Sequence, residues 1–410
     1  VIPHLLVALA AIIIVAHLIG GLFARIGQPP VVGEMIAGIS LGPSLLGRIA
    51  PAVSAHLFPA AILPYLSAIS QTGVILFMFL IGVEFDFNWL RSRSRSSLVI
   101  SQAGIVTPFL LGAALAVWLY PAFCSGAFSF AEFALFVGVA MSITAFPVLA
   151  RILRDFRLDR STLGMTALAA AAVGDVTAWC LLAFIVGVVQ SQPARIVRTV
   201  ALVAAFVAST FLAVRPVVAW MVRKQAQKRL PAAMAFLLAC AGLALASRVT
   251  DRIGIHALFG AFLFGVIIPH DSALAHHLPL IIARPVQVLL LPVFFASTGL
   301  FTEIGLLRGP RAWAACLAIV AVASLGKVGG SYLAARLTGS RSRPAAALAI
   351  LMNTRGLMEL IVLNVGLRLG ILSPALFAMF VLMAVSTTLA TAPLLGRVTR
   401  RAHLDFETTP

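Results

Sequence analysis

Long apolar runs alternate with short polar interruptions along the whole chain. Thirteen runs can be drawn, at about 4–24, 30–47, 64–84, 96–120, 131–154, 162–189, 196–221, 231–247, 254–269, 281–300, 312–335, 344–367 and 373–396. A helix rising 1.5 Å per residue needs about 20 apolar residues to cross a bilayer. Most of the runs meet that length. The second and ninth are short and are expected to stand upright or to be partly shielded. The first run leads into more apolar sequence without a small-residue cleavage site, so it reads as a spanning helix and not as a signal peptide. The pattern predicts an all-α polytopic membrane protein with about 13 transmembrane helices, forming a single membrane domain over 1–410.

Two runs are interrupted where continuous helix is expected. The fifth reads FVGVAMSITAFPVLARIL, with Ser142 and Thr144 just before Pro147, which lacks a backbone donor. In the twelfth, AAALAILMNTRGLMELIVLNVG, the residues Asn353, Thr354, Arg355 and Gly356 break the apolar pattern. Non-helical backbone at membrane depth is tolerated only where it is buried in protein or lines a cavity. The broken fifth run precedes one bearing an acid, and the broken twelfth follows one bearing a lysine. Runs four to six and eleven to thirteen thus form two three-helix units, each broken in its middle helix, as in an inverted repeat.

Composition supports a membrane setting. The chain is 61% hydrophobic and only 10% charged, whereas soluble domains carry roughly 25% charged residues. The formal net charge of +17 suggests nucleic acid at first sight. However, the basic residues fall in short clusters between apolar runs and leave no aromatic-interleaved basic surface, so no nucleic-acid partner is expected. They set orientation instead. Loops after odd-numbered runs and the C-terminal tail hold 19 Lys and Arg, against 8 in loops after even-numbered runs. The positive-inside rule therefore places the C-terminus in the cytoplasm and the N-terminus outside, in the cell (inner) membrane. The four cysteines lie far apart, in or beside apolar runs, and read as small core residues with no metal spacing.

The candidate chemistry is what the charge count leaves over. Asp175 is the one charge between Arg160 and Arg195. That puts it roughly 20 Å from either charged end, near mid-bilayer, at a cost on the order of 2.5–3.5 kcal/mol. It reads as an ion or proton site. Lys327 lies about 13 Å along its helix from Arg336, and Gly326, Gly329 and Gly330 beside it would let another helix approach closely. It reads either as a structural cation bound to a carbonyl or a remote acid, or as a charge tuning Asp175. Arg355 and Glu359, spaced i,i+4, are expected to form a structural ion pair. Glu34 opens the short second run and suits a cytoplasmic entrance or a structural role equally. Ser142, Thr144, Thr354 and carbonyls at the breaks are candidate oxygen ligands for a monovalent cation at Asp175. The eight histidines, including adjacent His276 and His277, form no H-E-x-x-H motif. No enzyme activity and no cofactor are expected.

The strings GQPPVVGEMIAGISLGPSLLG, MSITAFPVLARILRD, FFASTGLFTEIG, LGKVGGSYLAARL and MNTRGLMELIVLNVGL, in this order, resemble the monovalent cation:proton antiporters. The likeness is to the cation:proton antiporter-2 branch, above all its plant and fungal cation/H+ exchanger subgroup, and covers essentially the whole chain. It implies thirteen helices with two crossing broken ones, a mobile core moving against a dimerisation domain, and a homodimer in the lipid bilayer. On that basis 96–189 and 312–396 are expected to be the core, ion-translocating repeats, and 1–84 and 196–300 the scaffold and linker helices. Asp175 matches the family's ion- and proton-binding aspartate and Lys327 its core lysine. The family usually has Asp-Asp or Asn-Asp at this site, whereas Gly174 precedes Asp175 here. Lys327 must therefore find another partner or lean on Asp175. Members of this branch often continue into a cytoplasmic regulatory domain, which is absent from these 410 residues.

One carboxylate can hold a proton or a dehydrated cation, not both, and such competition is enough to couple exchange of H+ for K+ and/or Na+ by alternating access. A single acid implies one cation per proton, hence electroneutral exchange; the plant-type wording favours potassium. The competing readings are a gated K+ efflux channel on the same scaffold and a membrane sensor domain that moves no ions.

Overall fold

The computed structural model describes residues 2–84, 94–124, 128–159, 161–189, 193–254, 257–300 and 302–400. Among them the secondary structure is helical throughout, and helix occupies each of the thirteen predicted runs. In order the helices are α1 (Ile2–Arg25), α2 (Pro30–Leu41), α3 (Leu63–Glu84), α4 (Ser94–Phe123), α5 (Phe130–Ser142), α6 (Phe146–Asp155), α7 (Thr162–Val189), α8 (Pro193–Ser209) and α9 (Arg215–Ala226). They continue as α10 (Ala232–Ile253), α11 (Ala257–Val266), α12 (Ala273–Pro285), α13 (Leu291–Leu300), α14 (Gly309–Leu337), α15 (Ser342–Met352), α16 (Leu357–Leu369) and α17 (Pro374–Arg400). Nine helical stretches among the described residues are long and apolar enough to cross a membrane. Large apolar side chains such as Leu18, Leu212, Leu280 and Leu337 stand exposed on them, as lipid-facing positions do. Arg91, Arg93, Arg160 and Arg401, counted above among the loop charges, lie outside the described residues, as does the side chain of Cys180.

Local chemistry explains the main boundaries. At α5 the Ser129 hydroxyl accepts the Glu132 amide, while the Glu132 carboxylate accepts the Ser129 amide at 2.7 Å, a reciprocal cap of two otherwise unpaired donors. Gly254 and Gly370 stop α10 and α16 in the left-handed conformation (φ 99° and 79°). The seventh and tenth runs each contain one wide turn, Thr210–Val214 and Val286–Leu290, closed by i→i−5 bonds from Arg215 and Leu291. A proline follows each closing residue, at 216 and 292. Its ring and missing amide would disrupt a tight turn, and the wide turn accommodates both without ending the helix.

The chain divides into two compact units. The smaller comprises Val1–Leu9, Ala60–Ser92 and Val186–Phe294. Inside it α3 and α11 meet through Gly82 and Gly265, beside a stacked Phe79–Phe264 pair at 6.1 Å. The larger comprises Ala10–Pro59, Arg93–Ile185 and Phe295–Pro410. It holds both broken helices, Asp175 and Lys327. Its central pairing sets α14 against α4. A Cβ at Gly330 would stand 2.6 Å from the Ala103 carbonyl oxygen, and one at Gly326 would stand 2.8 Å from Pro108 Cα. Two of the three glycines beside Lys327 therefore serve the expected close approach, while Gly329 has open space.

Both predicted breaks are real and they meet. Residues 143–145 separate α5 from α6, and 353–356 separate α15 from α16. The Ala145 amide donates to the Thr354 carbonyl at 3.0 Å, and Thr144 Oγ1 donates to the Met352 carbonyl at 3.3 Å. A Cβ at Gly356 would lie 2.8 Å from Val148 Cγ2, so the crossing leaves no room for a side chain there.

Candidate functional site

The last four carbonyls of an α-helix have no intrahelical partner and carry partial negative charge. At the carboxyl end of α5 the partners are two buried cations. Lys327, from the middle of α14, donates to the Ser142 carbonyl. Arg355, in the second break, donates to the Met141 carbonyl at 2.7 Å and the Ala140 carbonyl at 3.4 Å. Lys327 thus has a backbone oxygen for its partner, which accounts for the lysine beside a site where Gly174 offers no acid. It also lies near enough to Asp175 for the two charges to attract.

Arg355 and Glu359 form the expected i,i+4 ion pair, 3.4 Å apart with neither side chain accessible to solvent. Thr388 of α17 holds the arginine's backbone, accepting from its amide at 3.0 Å and donating to its carbonyl at 2.7 Å. Glu359 also lies in the first turn of α16, where a negative charge favours the helix dipole. The carboxyl end of α15 is treated differently. Hydroxyls and amides satisfy it without a cation: Thr354 Oγ1 donates to the Leu351 carbonyl at 2.6 Å, next to the Thr144 contact on Met352.

Ser142 Oγ lies 2.6 Å from the Gly138 carbonyl and 3.0 Å from the Ile105 carbonyl. The hydroxyl protons of Ser142, Thr144 and Thr354 are therefore engaged by backbone, while their lone pairs remain available to accept. Together with Lys327, Arg355 and Glu359 they assemble around the crossing. Asp175 differs from them in having no hydrogen-bond partner: it is 7% exposed, and both carboxylate oxygens are buried. Its surroundings come from α4: Ser101 Oγ lies 3.3 Å from where a Cβ on Gly174 would be, and Gln102 Nε2 donates to Thr177 Oγ1 at 3.1 Å. Glu34 pairs with Arg151 of α6 at 3.3 Å, with its carboxylate mostly buried.

Sequence reasoning missed the α4 residues. The available signal was Ser97 and Ser101, one helical turn apart with Leu98, Val99 and Ile100 between them. Beside the buried Glu34, which is paired with Arg151, the larger unit holds four further buried charges among its described residues, two of each sign: Asp175, Glu359, Lys327 and Arg355. They balance until a further cation or proton arrives.

Two broken helices that cross inside one apolar, all-helical unit, together with a buried acid whose oxygens have no hydrogen-bond partner, mark a multi-pass ion transporter. The transmembrane sodium/hydrogen exchanger family matches residues 11–398, and the chain belongs to that family. It is 43% identical over 401 residues to the Na(+)/H(+) antiporter NhaS4 of Synechocystis sp., covering 96% of this chain and 97% of that one. It is 38% identical to Cation/H(+) antiporter 20 of Arabidopsis thaliana and 33% identical to K(+)/H(+) antiporter 1 of Saccharomyces cerevisiae, covering 95% and 96% of this chain. Of those two longer proteins the chain spans about half, 48% and 46%. The fold matches that of the sodium proton antiporter MjNhaP1 from Methanocaldococcus jannaschii, with a TM-score of 0.70 at 13% identity over 98% of this chain and 99% of that one.

Proposed function

We propose that the protein exchanges a monovalent cation, K+ and/or Na+, for H+ across the membrane, and that Asp175 binds either ion in turn. The observation that carries this reading is the state of the buried acids. Among the described ones, Glu34 and Glu359 each have one oxygen committed to an arginine, whereas both oxygens of Asp175 are uncommitted. A buried carboxylate without partners is costly. A proton or a dehydrated cation removes that cost, and only one of them fits at a time.

The charge balance supports a one-for-one, electroneutral cycle. With Asp175 ionised, it, Glu359, Lys327 and Arg355 sum to zero, and the Glu34–Arg151 pair is neutral by itself. A bound proton or a bound monovalent cation each adds +1, so the two loaded forms cross the membrane with equal charge. In this reading the larger unit carries the site between the two faces, with 96–189 and 312–396 as its translocating repeats. Lys327 and Arg355 neutralise the end of α5, Glu359 braces Arg355, and Ser142, Thr144 and Thr354 shape the crossing. The smaller unit serves as scaffold of a homodimer, and the basic loops and C-terminus face the cytoplasm.

The test is cation-dependent proton flux in proteoliposomes, comparing Na+, K+, Li+ and Rb+ with Asp175→Asn as control. Saturable exchange in the wild type, absent in the variant, is the expected result. Cation current without proton countermovement would identify a channel and overturn the antiport reading. Cation binding without any flux would identify a sensor.

A further inference from the structure

Asp175 does not sit alone in its lack of partners. Ser97 Oγ, Ser101 Oγ and Ser331 Oγ are also buried without a hydrogen-bond partner, and all three residues are fully inaccessible to solvent. The three hydroxyls line one face of α4. Ser97 and Ser101 are four residues apart on it, so their side chains are neighbours. Ser331, on α14, points at the same face, since its Oγ would lie 2.9 Å from a Cβ on Gly104. Gly104 is three residues beyond Ser101, which itself lies beside Gly174 and hence at the level of Asp175.

The face runs on to Ile105, whose carbonyl lies 3.0 Å from Ser142 Oγ at the end of α5. It spans about 12 Å of helix, from 97 to 105. Pro108 lies inside α4 and cannot donate to the Gly104 carbonyl four residues earlier. An acceptor-rich strip thus connects the uncommitted acid to the crossing. A hydroxyl in a membrane helix usually donates to its own helix, as Thr166 and Thr177 do at 2.7 and 3.0 Å. These three serines do not. Buried polar atoms left unpaired are the exception in proteins, and a cluster of them calls for a ligand or water.

We propose that Ser101 and Ser331, with Asp175, supply the oxygen shell of the dehydrated cation, and that Ser97 hands ions and water to it from the amino end of α4. The inference rests on the exchange reading above and names further cation ligands at its site. Gly174 makes the arrangement possible: with no side chain there, the Ser101 hydroxyl lies directly against that turn of α7. A carboxylate alone cannot replace the hydration shell of a monovalent cation. Neutral hydroxyls add ligands without adding charge, so the one-for-one cycle is preserved.

The test is cation binding and exchange by the full chain, with Ser101→Ala, Ser331→Ala and the double variant beside Asp175→Asn. Binding is read as the half-saturation concentration for stabilisation of the purified protein by K+, Rb+ or Na+. Exchange is read as the KM for the same cations in proteoliposomes. Loss of one neutral ligand should raise both constants roughly five- to tenfold for each serine, with the maximal rate kept within about twofold. The cation-free melting temperature should stay near wild type, because neither hydroxyl has a protein partner to lose. Unchanged constants in the serine variants, alongside an inactive Asp175→Asn, would overturn the ligand assignment and leave antiport standing. A wild type that neither binds nor exchanges cations would overturn both. Should one serine variant fail to fold, the other carries the same prediction.

Discussion

At the scale of the residue, the contrast between Asp175 and Lys327 is decisive. Both are buried near the middle of apolar helices, yet the lysine has a carbonyl partner and the acid has none. Their substitutions should therefore separate cleanly. Asp175→Asn breaks no hydrogen bond and removes only the attraction between the acid and Lys327, so exchange should vanish while the size-exclusion profile holds and the melting temperature stays near wild type. A fully active Asn variant would remove the site assignment. Lys327→Ala strips the Ser142 carbonyl of its donor and leaves part of a helix end unneutralised. It should cost about 2–4 kcal/mol of stability, read as a lower melting temperature. Unchanged melting and activity would make the lysine incidental. The intramembrane charges were legible in the sequence because a charge inside an apolar run is conspicuous. The partner of Lys327 was not, since it depends on two residues 185 positions apart coming together. The orphaned serines escaped for another reason: serine is an ordinary membrane-helix residue, and only the missing intrahelical bond marks these.

At the scale of the element, the crossing is the feature to perturb. Arg355 bridges the end of α5 to Glu359 with no solvent access. Removing one partner of such a pair costs about 3–5 kcal/mol, so Arg355→Ala should fail to give a monodisperse protein. Glu359→Gln, which keeps an acceptor for the guanidinium, should survive with a reduced melting temperature. Gly356→Ala tests the contact between the half-helices directly, because its methyl would press on Val148 at 2.8 Å. The contact should cost about 1–3 kcal/mol, on top of the strain of any side chain at φ 159° and ψ −125°, so Val148→Ala should rescue the contact part of the loss alone in a double-mutant cycle. Additive losses would show that the two residues do not press on each other. Hydropathy located the runs, and Pro147 and the Asn353–Gly356 interruption located the breaks. The wide turns before Pro216 and Pro292 were invisible, because the apolar pattern continues through them without a gap.

For the molecule as a whole, competition at one carboxylate fixes how transport should respond to its driving forces. Lowering the pH on the cation side should raise the apparent KM for the cation and leave the maximal rate at saturating cation unchanged. A maximal rate that falls instead would place the proton at a second site. Exchange should also proceed at the same rate with and without an imposed voltage. Rate and direction that follow voltage in the absence of ion gradients would rule out the one-for-one cycle.

The hydrogen bond from the Ala145 amide to the Thr354 carbonyl ties together peptide groups from opposite halves of the polypeptide. Neither half-helix can slip past the other without stranding that amide in a dry interior, at a penalty of about 1–3 kcal/mol. On the exchange reading proposed above, a slip at the crossing would let ions run downhill unaccompanied, and this peptide contact holds the two half-helices against it.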